Sequence, residues 1–255
     1  MQFKLPNGLV DGVDHFNLIT ITELTGKQQD YLVDRKLIIN NIGHIEKILE
    51  DMIVSLENEQ GVKWQGSNKD LIWKLPASDL VTILVKIREN TFGPRYYFNA
   101  KCEHCGHEHK NLRLDLDTLE VTPLDVKLMQ QLERRTLVLP KSGKTVVLKP
   151  LYLKDLYAAL KIAINEESKL ISSSIALAVE SIDGDTKIDA EKIRALPVMD
   201  LKELQEKLDA TKLEGEIDTD IEHTCTNCKQ DFKQQLNVYD PDFFSLSRGF
   251  KDTNT

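Results

Sequence analysis

All four cysteines of the 255-residue chain fall in two C-x-x-C units, Cys102-Glu103-His104-Cys105 and Cys225-Thr226-Asn227-Cys228. Four cysteines scattered at random would form two such pairs about once in 5,000 arrangements, so the spacing itself is a signal. Two thiolates three residues apart on a tight turn both reach one tetrahedral ion at about 2.3 Å, and two such knuckles complete a closed structural zinc site. Cys102, Cys105, Cys225 and Cys228 are therefore the expected zinc ligands. Disulfides are the plain alternative. The N-terminus, Met1-Gln2-Phe3-Lys4-Leu5-Pro6, lacks the apolar core of a signal peptide, so the expected compartment is a reducing cytoplasm that would keep the thiols free. A thioredoxin-like motif would need a C-x-x-C opening a helix, whereas extended sequence surrounds both pairs.

Four of the six histidines, His104, His107, His109 and His223, lie in or beside the knuckles. Cys102, Cys105, His107 and His109 form an alternative two-Cys, two-His set, with His107 and His109 on one face of a strand. The second knuckle has no histidine after Cys228 to match them, which ranks this set below the shared four-thiolate site. The plainer account of these histidines is surface residues beside a metal hairpin.

The elements that must carry the knuckles recur along the chain. Leu75-Pro76-Ala77-Ser78-Asp79-Leu80 returns as Leu196-Pro197-Val198-Met199-Asp200-Leu201, each leading a helical stripe: Leu80, Ile83, Ile87 and Leu201, Leu204, Leu208. Leu5-Pro6-Asn7-Gly8 echoes in Leu139-Pro140-Lys141-Ser142-Gly143, and Asp30 before Tyr31-Leu32 resembles Asp155-Leu156-Tyr157. An extended segment follows each knuckle, Leu112 to Leu116 and Phe232 to Val238. One Leu-Pro dipeptide recurs cheaply; a whole order of landmarks does not, and it predicts an internal duplication.

The expected fold is α+β, with two pseudo-equivalent copies, each holding helices and a small antiparallel sheet that carries a zinc knuckle. Residues 1–121 form the first copy, 122–135 a connecting helix, 136–240 the second copy and 241–255 a C-terminal tail. The first copy's apolar helix has the stripe Ile42, Ile45, Ile48, Leu49, Met52, Ile53 and Leu56, and its counterpart is Leu160 to Val179. A pseudo-twofold arrangement brings both thiolate pairs to the axis, where one ion clamps the halves.

The remaining features exclude function classes. Lys and Arg number 33 against 41 Asp and Glu, a net charge of −8, which disfavours nucleic acid as a partner held by bulk electrostatics. No apolar run is long enough to span a bilayer. Ser142-Gly143-Lys144-Thr145 imitates a phosphate-binding loop, but the earlier glycine would fall at Val138 and the flanks read as hairpin strands. Asp183, Asp185 and Asp189 fail as a calcium loop, with Ile188 at the sixth position and Arg194 at the twelfth. Glu214, Glu216, Asp218, Asp220 and Glu222 alternate with Leu213, Ile217 and Ile221, a strand with a solvated acidic face or a docking edge for a basic partner. No nucleophile and base pair up, and a four-thiolate site leaves no open coordination position, so an enzyme is not expected.

The pattern of Leu139-Pro140-Lys141-Ser142-Gly143-Lys144 with a strand to Lys149, Leu75-Pro76 and Leu196-Pro197 leading helices, and C-x-x-C knuckles running into Leu112 to Val121 resembles the baseplate hub and tail-assembly protein family of T-even-type tailed bacteriophages. The first copy departs from it where Leu5-Pro6-Asn7-Gly8 is followed by Leu-Val-Asp-Gly rather than Lys and a strand. The resemblance implies a non-enzymatic part of a contractile tail, located in the virion baseplate after assembly in the host cytoplasm, with other baseplate or tail proteins as partners. Phe243, Phe244, Leu246 and Phe250 lie beyond the last repeated element and are the expected partner-binding residues. A tail-assembly chaperone and a zinc-ribbon nucleic-acid adaptor are the alternatives; the second would need a basic stripe where the second knuckle offers Asp220 and Glu222.

Overall fold

A computed structural model describes residues 1–34, 43–123, 135–155, 157–158, 170–210 and 216–245. Strands β1 (Gln2–Asp11) and β2 (Asp14–Ile21) form a hairpin that turns at Gly12, whose φ of 62° suits a residue without a side chain. A bulge between Lys4 and Leu9 lifts Leu5-Pro6-Asn7-Gly8 out of the ladder. Gly8 sits there at φ 74°, and a Cβ on it would collide with the Phe16 carbonyl oxygen and the Asn17 side chain. Helix α1 (Gly26–Val33) opens with a capping box between Thr25 and Gln28.

Helix α2 (Gly43–Met52) buries His44, Ile45, Ile48, Leu49 and Met52, the 3.6-residue stripe expected of it. It ends at Met52. Ile53 and Leu56, expected on the same helix, belong instead to strand β3 (Ile53–Asn58), which pairs with β2. The period changes from 3.6 to 2 at a β-branched Ile-Val pair, so Ile53 and Leu56 stay buried while the chain becomes extended. Ile42 lies outside the described residues.

Ser67 caps α3 (Asn68–Lys74) by accepting from the Asp70 N–H at 3.1 Å. Leu75-Pro76 then breaks the chain, and α4 (Ala77–Phe92) runs to Gly93, left-handed at φ 81°. Its Leu80, Ile83 and Ile87 are fully buried. Strands β4 (Arg95–Lys101) and β5 (Glu108–Asp115) carry the first knuckle between them.

The second half begins with the hairpin of β7 (Thr136–Val138) and β8 (Thr145–Leu148). Helix α5 (Leu170–Ala178) runs directly into β9 (Val179–Ile182), which pairs with β8. Val179 is thus a strand residue, not the end of the expected helix; residues 160–169 of that expectation lie outside the described residues. Asp189 caps α6 (Ala190–Arg194), Leu196-Pro197 follows, and α7 (Val198–Ala210) comes next. The acidic stretch is divided between β10 (Glu216–Ile217) and β11 (Asp220–Thr224), with Ile217 and Ile221 buried and Asp220 and Glu222 exposed. Glu214 lies outside the described residues. Strand β12 (Asp231–Gln235) completes the second knuckle hairpin, and β10 pairs with β6 (Val121–Thr122). Thr122 is therefore in a strand rather than in the expected connecting helix, of which residues 124–134 are outside the described set.

Two buried carboxylates fix the Leu-Pro loops. Asp79 accepts from the Asn7 and Gly8 backbone N–H groups at 2.9 and 2.7 Å, and Asp200 accepts from those of Lys141 and Ser142 at 2.7 and 3.0 Å. Each thereby pins a helix N-terminus to a β-hairpin.

The chain folds around a larger core from the first half and a smaller one built on β7, β8, β9 and α5 to α7. The larger core also takes Leu153, Ile217, Ile221, Leu236 and Val238 from the second half. Phe243 and Phe244, at 0% and 1% exposure, lie in it too, on the 3-10 turn Pro241–Phe244. The Phe243 carbonyl accepts from Arg88 Nε at 3.0 Å, and the Arg88 guanidinium lies 4.6 Å from the centre of the Phe92 ring. Phe243 and Phe244, expected to bind a partner, are thus buried within the chain itself, because this turn folds back over α4. Leu246 and Phe250 are outside the described residues.

Candidate metal centre

Both knuckles are built by the same backbone turn. In the first, the Cys102 N–H donates to the His107 carbonyl at 2.9 Å and the Gly106 N–H to the Cys102 carbonyl at 2.8 Å. In the second, the Cys225 N–H donates to the Gln230 carbonyl and the Lys229 N–H to the Cys225 carbonyl, both at 2.9 Å. The fourth residue after each leading cysteine is left-handed, Gly106 at φ 73° and Lys229 at φ 62°. The reversal aims both sulfurs of a knuckle the same way.

The two turns face one another, although their cysteines are up to 126 residues apart. Cys102 and Cys228 Sγ lie 3.7 Å apart, as do Cys105 and Cys225 Sγ, and all four sulfurs lie within 4.8 Å of one another. Tetrahedral coordination at a zinc–sulfur distance of about 2.3 Å separates the sulfurs by about 3.8 Å. The cluster fits such an ion, and the spacing is far beyond the S–S bond of a disulfide. Among the described residues this is the group of side chains able to hold a metal. Four sulfurs would fill the coordination shell, which is the arrangement of a structural centre.

The surroundings divide the cluster into a dry and a wet side. Cys102 and Cys225 are buried with Ala100 and Phe232 in a small apolar cluster, whereas Cys105 is exposed. The His107 backbone, the Asn227 amide at 3.6 Å and the neighbouring sulfurs favour a thiolate at Cys105, bringing its pKa down to about 6. At Cys228 the Gln230 backbone favours the thiolate, but desolvation and the other three sulfurs outweigh it and push the pKa up to about 12. Sulfurs this close repel one another's negative charge, a repulsion that a bound cation would relieve.

The histidines take places outside the sulfur cluster. His109, buried on β5, puts Nε2 3.4 Å from Cys225 Sγ and packs against the Phe232 ring. His104 Nε2 lies 2.9 Å from the Asp231 carbonyl and, donating to it, joins the two knuckles. His107 is exposed and sits edge-on to His109. His223 packs against Phe98 and Phe232, and its burial lowers its pKa. The sequence pointed to the four sulfurs but not to Asn227 as a donor or His104 as a cross-knuckle tie, because neither residue type carries a spacing rule of its own.

The sequence matches the family model described as T4 bacteriophage base plate protein over residues 15–245. No curated protein and no solved structure matches the chain.

Proposed function

The chain belongs to the T4 bacteriophage base plate protein family, a membership that carries a structural role in a phage baseplate, and from that premise we propose that it is a component of the hub region of a contractile tail, clamped by one structural zinc ion. The observation that carries the assignment is the family match across most of the chain. The zinc rests on the four converging sulfurs, Cys102, Cys105, Cys225 and Cys228. The protein works through contacts with other baseplate or tail proteins in the virion, after assembly in the host cytoplasm, and not as an enzyme. No helix among the described residues is long and apolar enough to cross a membrane.

The same reading includes an internal duplication, with copies at 1–121 and 136–240 joined by 122–135. In its support, each half holds, in order, a hairpin, a helix running directly into a strand, a short capped helix, Leu-Pro, a longer helix and a knuckle hairpin, with α1 in the first half and β10 in the second standing between these elements. The paired carboxylates Asp79 and Asp200, and the matching hydrogen bonds of the two knuckle turns, support it further. Residues 246–255 supply the partner-binding tail with Leu246 and Phe250; Phe243 and Phe244 root it in the core.

Quantitative mass spectrometry of purified phage particles tests the proposal. The expected result is this chain at a fixed whole-number ratio to known baseplate components. Its absence from mature particles, with assembly still dependent on it, would leave a chaperone instead.

A further inference from the structure

Inside the chain, the start of the second half docks on the first through an extended segment. The Leu151 carbonyl accepts from the Ala77 N–H at 2.8 Å, and Tyr152 forms a β-bridge with Pro76. Beside this contact the Tyr157 ring stacks on Trp73 at 5.5 Å. The receiving surface is the Leu-Pro turn that opens α4.

The equivalent turn of the second half is bare. Val198 and Met199, which stand where Ala77 and Ser78 do, are 79% and 57% exposed. The Val198 N–H has no acceptor among the described residues, whereas that of Ala77 is satisfied by Leu151. In the equivalent docking segment of the first half, Leu24 leans on the larger core and its N–H donates to Thr91 Oγ1 at 3.1 Å, which leaves its carbonyl for an outside donor. Thr22 donates to the Met52 carbonyl as Lys149 donates to that of Ala178, and Thr25 with Gln28 forms the same cap as Tyr152 with Asp155. Leu24-Thr25 therefore stands where Leu151-Tyr152 does, and the Leu24 carbonyl has no donor among the described residues.

The side chains flanking the two surfaces complement one another. The Thr25–Gln28 and Tyr152–Asp155 bonds align Gln28 with Asp155, two residues from the Asp30–Asp155 match expected from sequence, so at the positions of Trp73 and Tyr157 stand Arg194 and Asp30, an aromatic stack exchanged for opposite charges. Asp30 is exposed with no ion-pair partner among the described residues, and Arg194 is half-exposed, with its guanidinium 3.8 Å from Glu191. We propose that the Leu24-Thr25 segment of one chain docks on the Pro197-Val198-Met199 turn of a second copy, with Asp30 facing Arg194. The contact repeats between chains the one already made within the chain, and it rests on the duplication argued above. Such an interface is head to tail, so it closes into a ring or continues as a filament.

Sedimentation equilibrium of the full chain, in reducing buffer with zinc, over a wide concentration range is the test. The expected result is self-association that Val198→Glu and Asp30→Arg each weaken at least about tenfold. The pair Asp30→Arg with Arg194→Asp restores it to within about threefold of wild type. All three side chains are at the surface, and circular dichroism checks that the variants fold. A wild-type chain monomeric throughout, association indifferent to Val198→Glu, or a double swap as weak as the single one would overturn the contact. The duplication is judged separately, by superposing the two halves of an experimental structure, so the two failures are read from different data.

Discussion

The cysteine spacing made the thiolate cluster legible, because C-x-x-C is a local rule, but the residues that support it act across the fold. His109 is the strongest case. It approaches Cys225 Sγ while Phe232, at the same place in the other knuckle, has no polar atom to offer. A donor to a metal thiolate orients the ligand and lowers its competition for protons. His109→Phe is expected to weaken metal binding about 10- to 100-fold, measured by competition with a chelator of known affinity, without loss of the fold. At the other end of the second half, burial alone would raise the pKa of Asp200. The Ser142 hydroxyl and the Ser142 and Lys141 backbone N–H groups overcome this and hold it below the ordinary carboxylate value. Its folded pKa lies under its unfolded one, so its contribution is complete above about pH 4 and is lost as the pH falls through the folded value. Hydrogen-exchange protection of the Lys141 and Ser142 amides should fall in acid in the wild type, and Asp200→Asn should remove that pH dependence.

At the scale of elements, the buried carboxylates matter more than their solvent-facing relatives. Asp79 is fully buried and accepts from the Asn7 and Gly8 backbone N–H groups and the Asn7 amide. Asp79→Ala would strand these donors and release the β1–β2 bulge from α4, at about 2 to 4 kcal/mol in a denaturant midpoint experiment. The sequence disclosed the Leu-Pro-x-x-Asp motif but not that its Asp reaches back to a hairpin some 70 residues earlier. The strand after each apolar helix was hidden for a different reason. Ile53 and Val179 continue a helical stripe as well as they begin a strand, and only pairing with β2 or β8 decides between them. The C-terminal turn is not legible in the sequence because its burial depends on α4 and Arg88, which lie far away along the chain. Phe243→Ala is expected to cost about 3 to 5 kcal/mol of stability, read from thermal or denaturant unfolding; an unchanged midpoint would return that ring to the surface.

Across the whole molecule, the two knuckles join strands from opposite halves, and the larger core already borrows side chains from the second half. An ion held between them would add a crosslink to that packing. Cys105 and Cys225 are 120 residues apart, and closing a loop of that length removes about 4 to 5 kcal/mol of unfolded-chain entropy in the simple polymer account. Metal affinity adds to this, because the unfolded chain has no assembled site. The α+β class and the pairing of the knuckles were legible in the recurring motifs; the sharing of one core by both halves was not, since no local pattern records which half a buried side chain faces. The central claim is that a single ion is shared by both knuckles. Native mass spectrometry of the full chain, purified without added metal, tests it most directly: the account predicts the mass of one chain plus one zinc ion, with the zinc absent from Cys225→Ser. A metal-free wild-type chain, two ions per chain, or a zinc ion retained by that variant would contradict it.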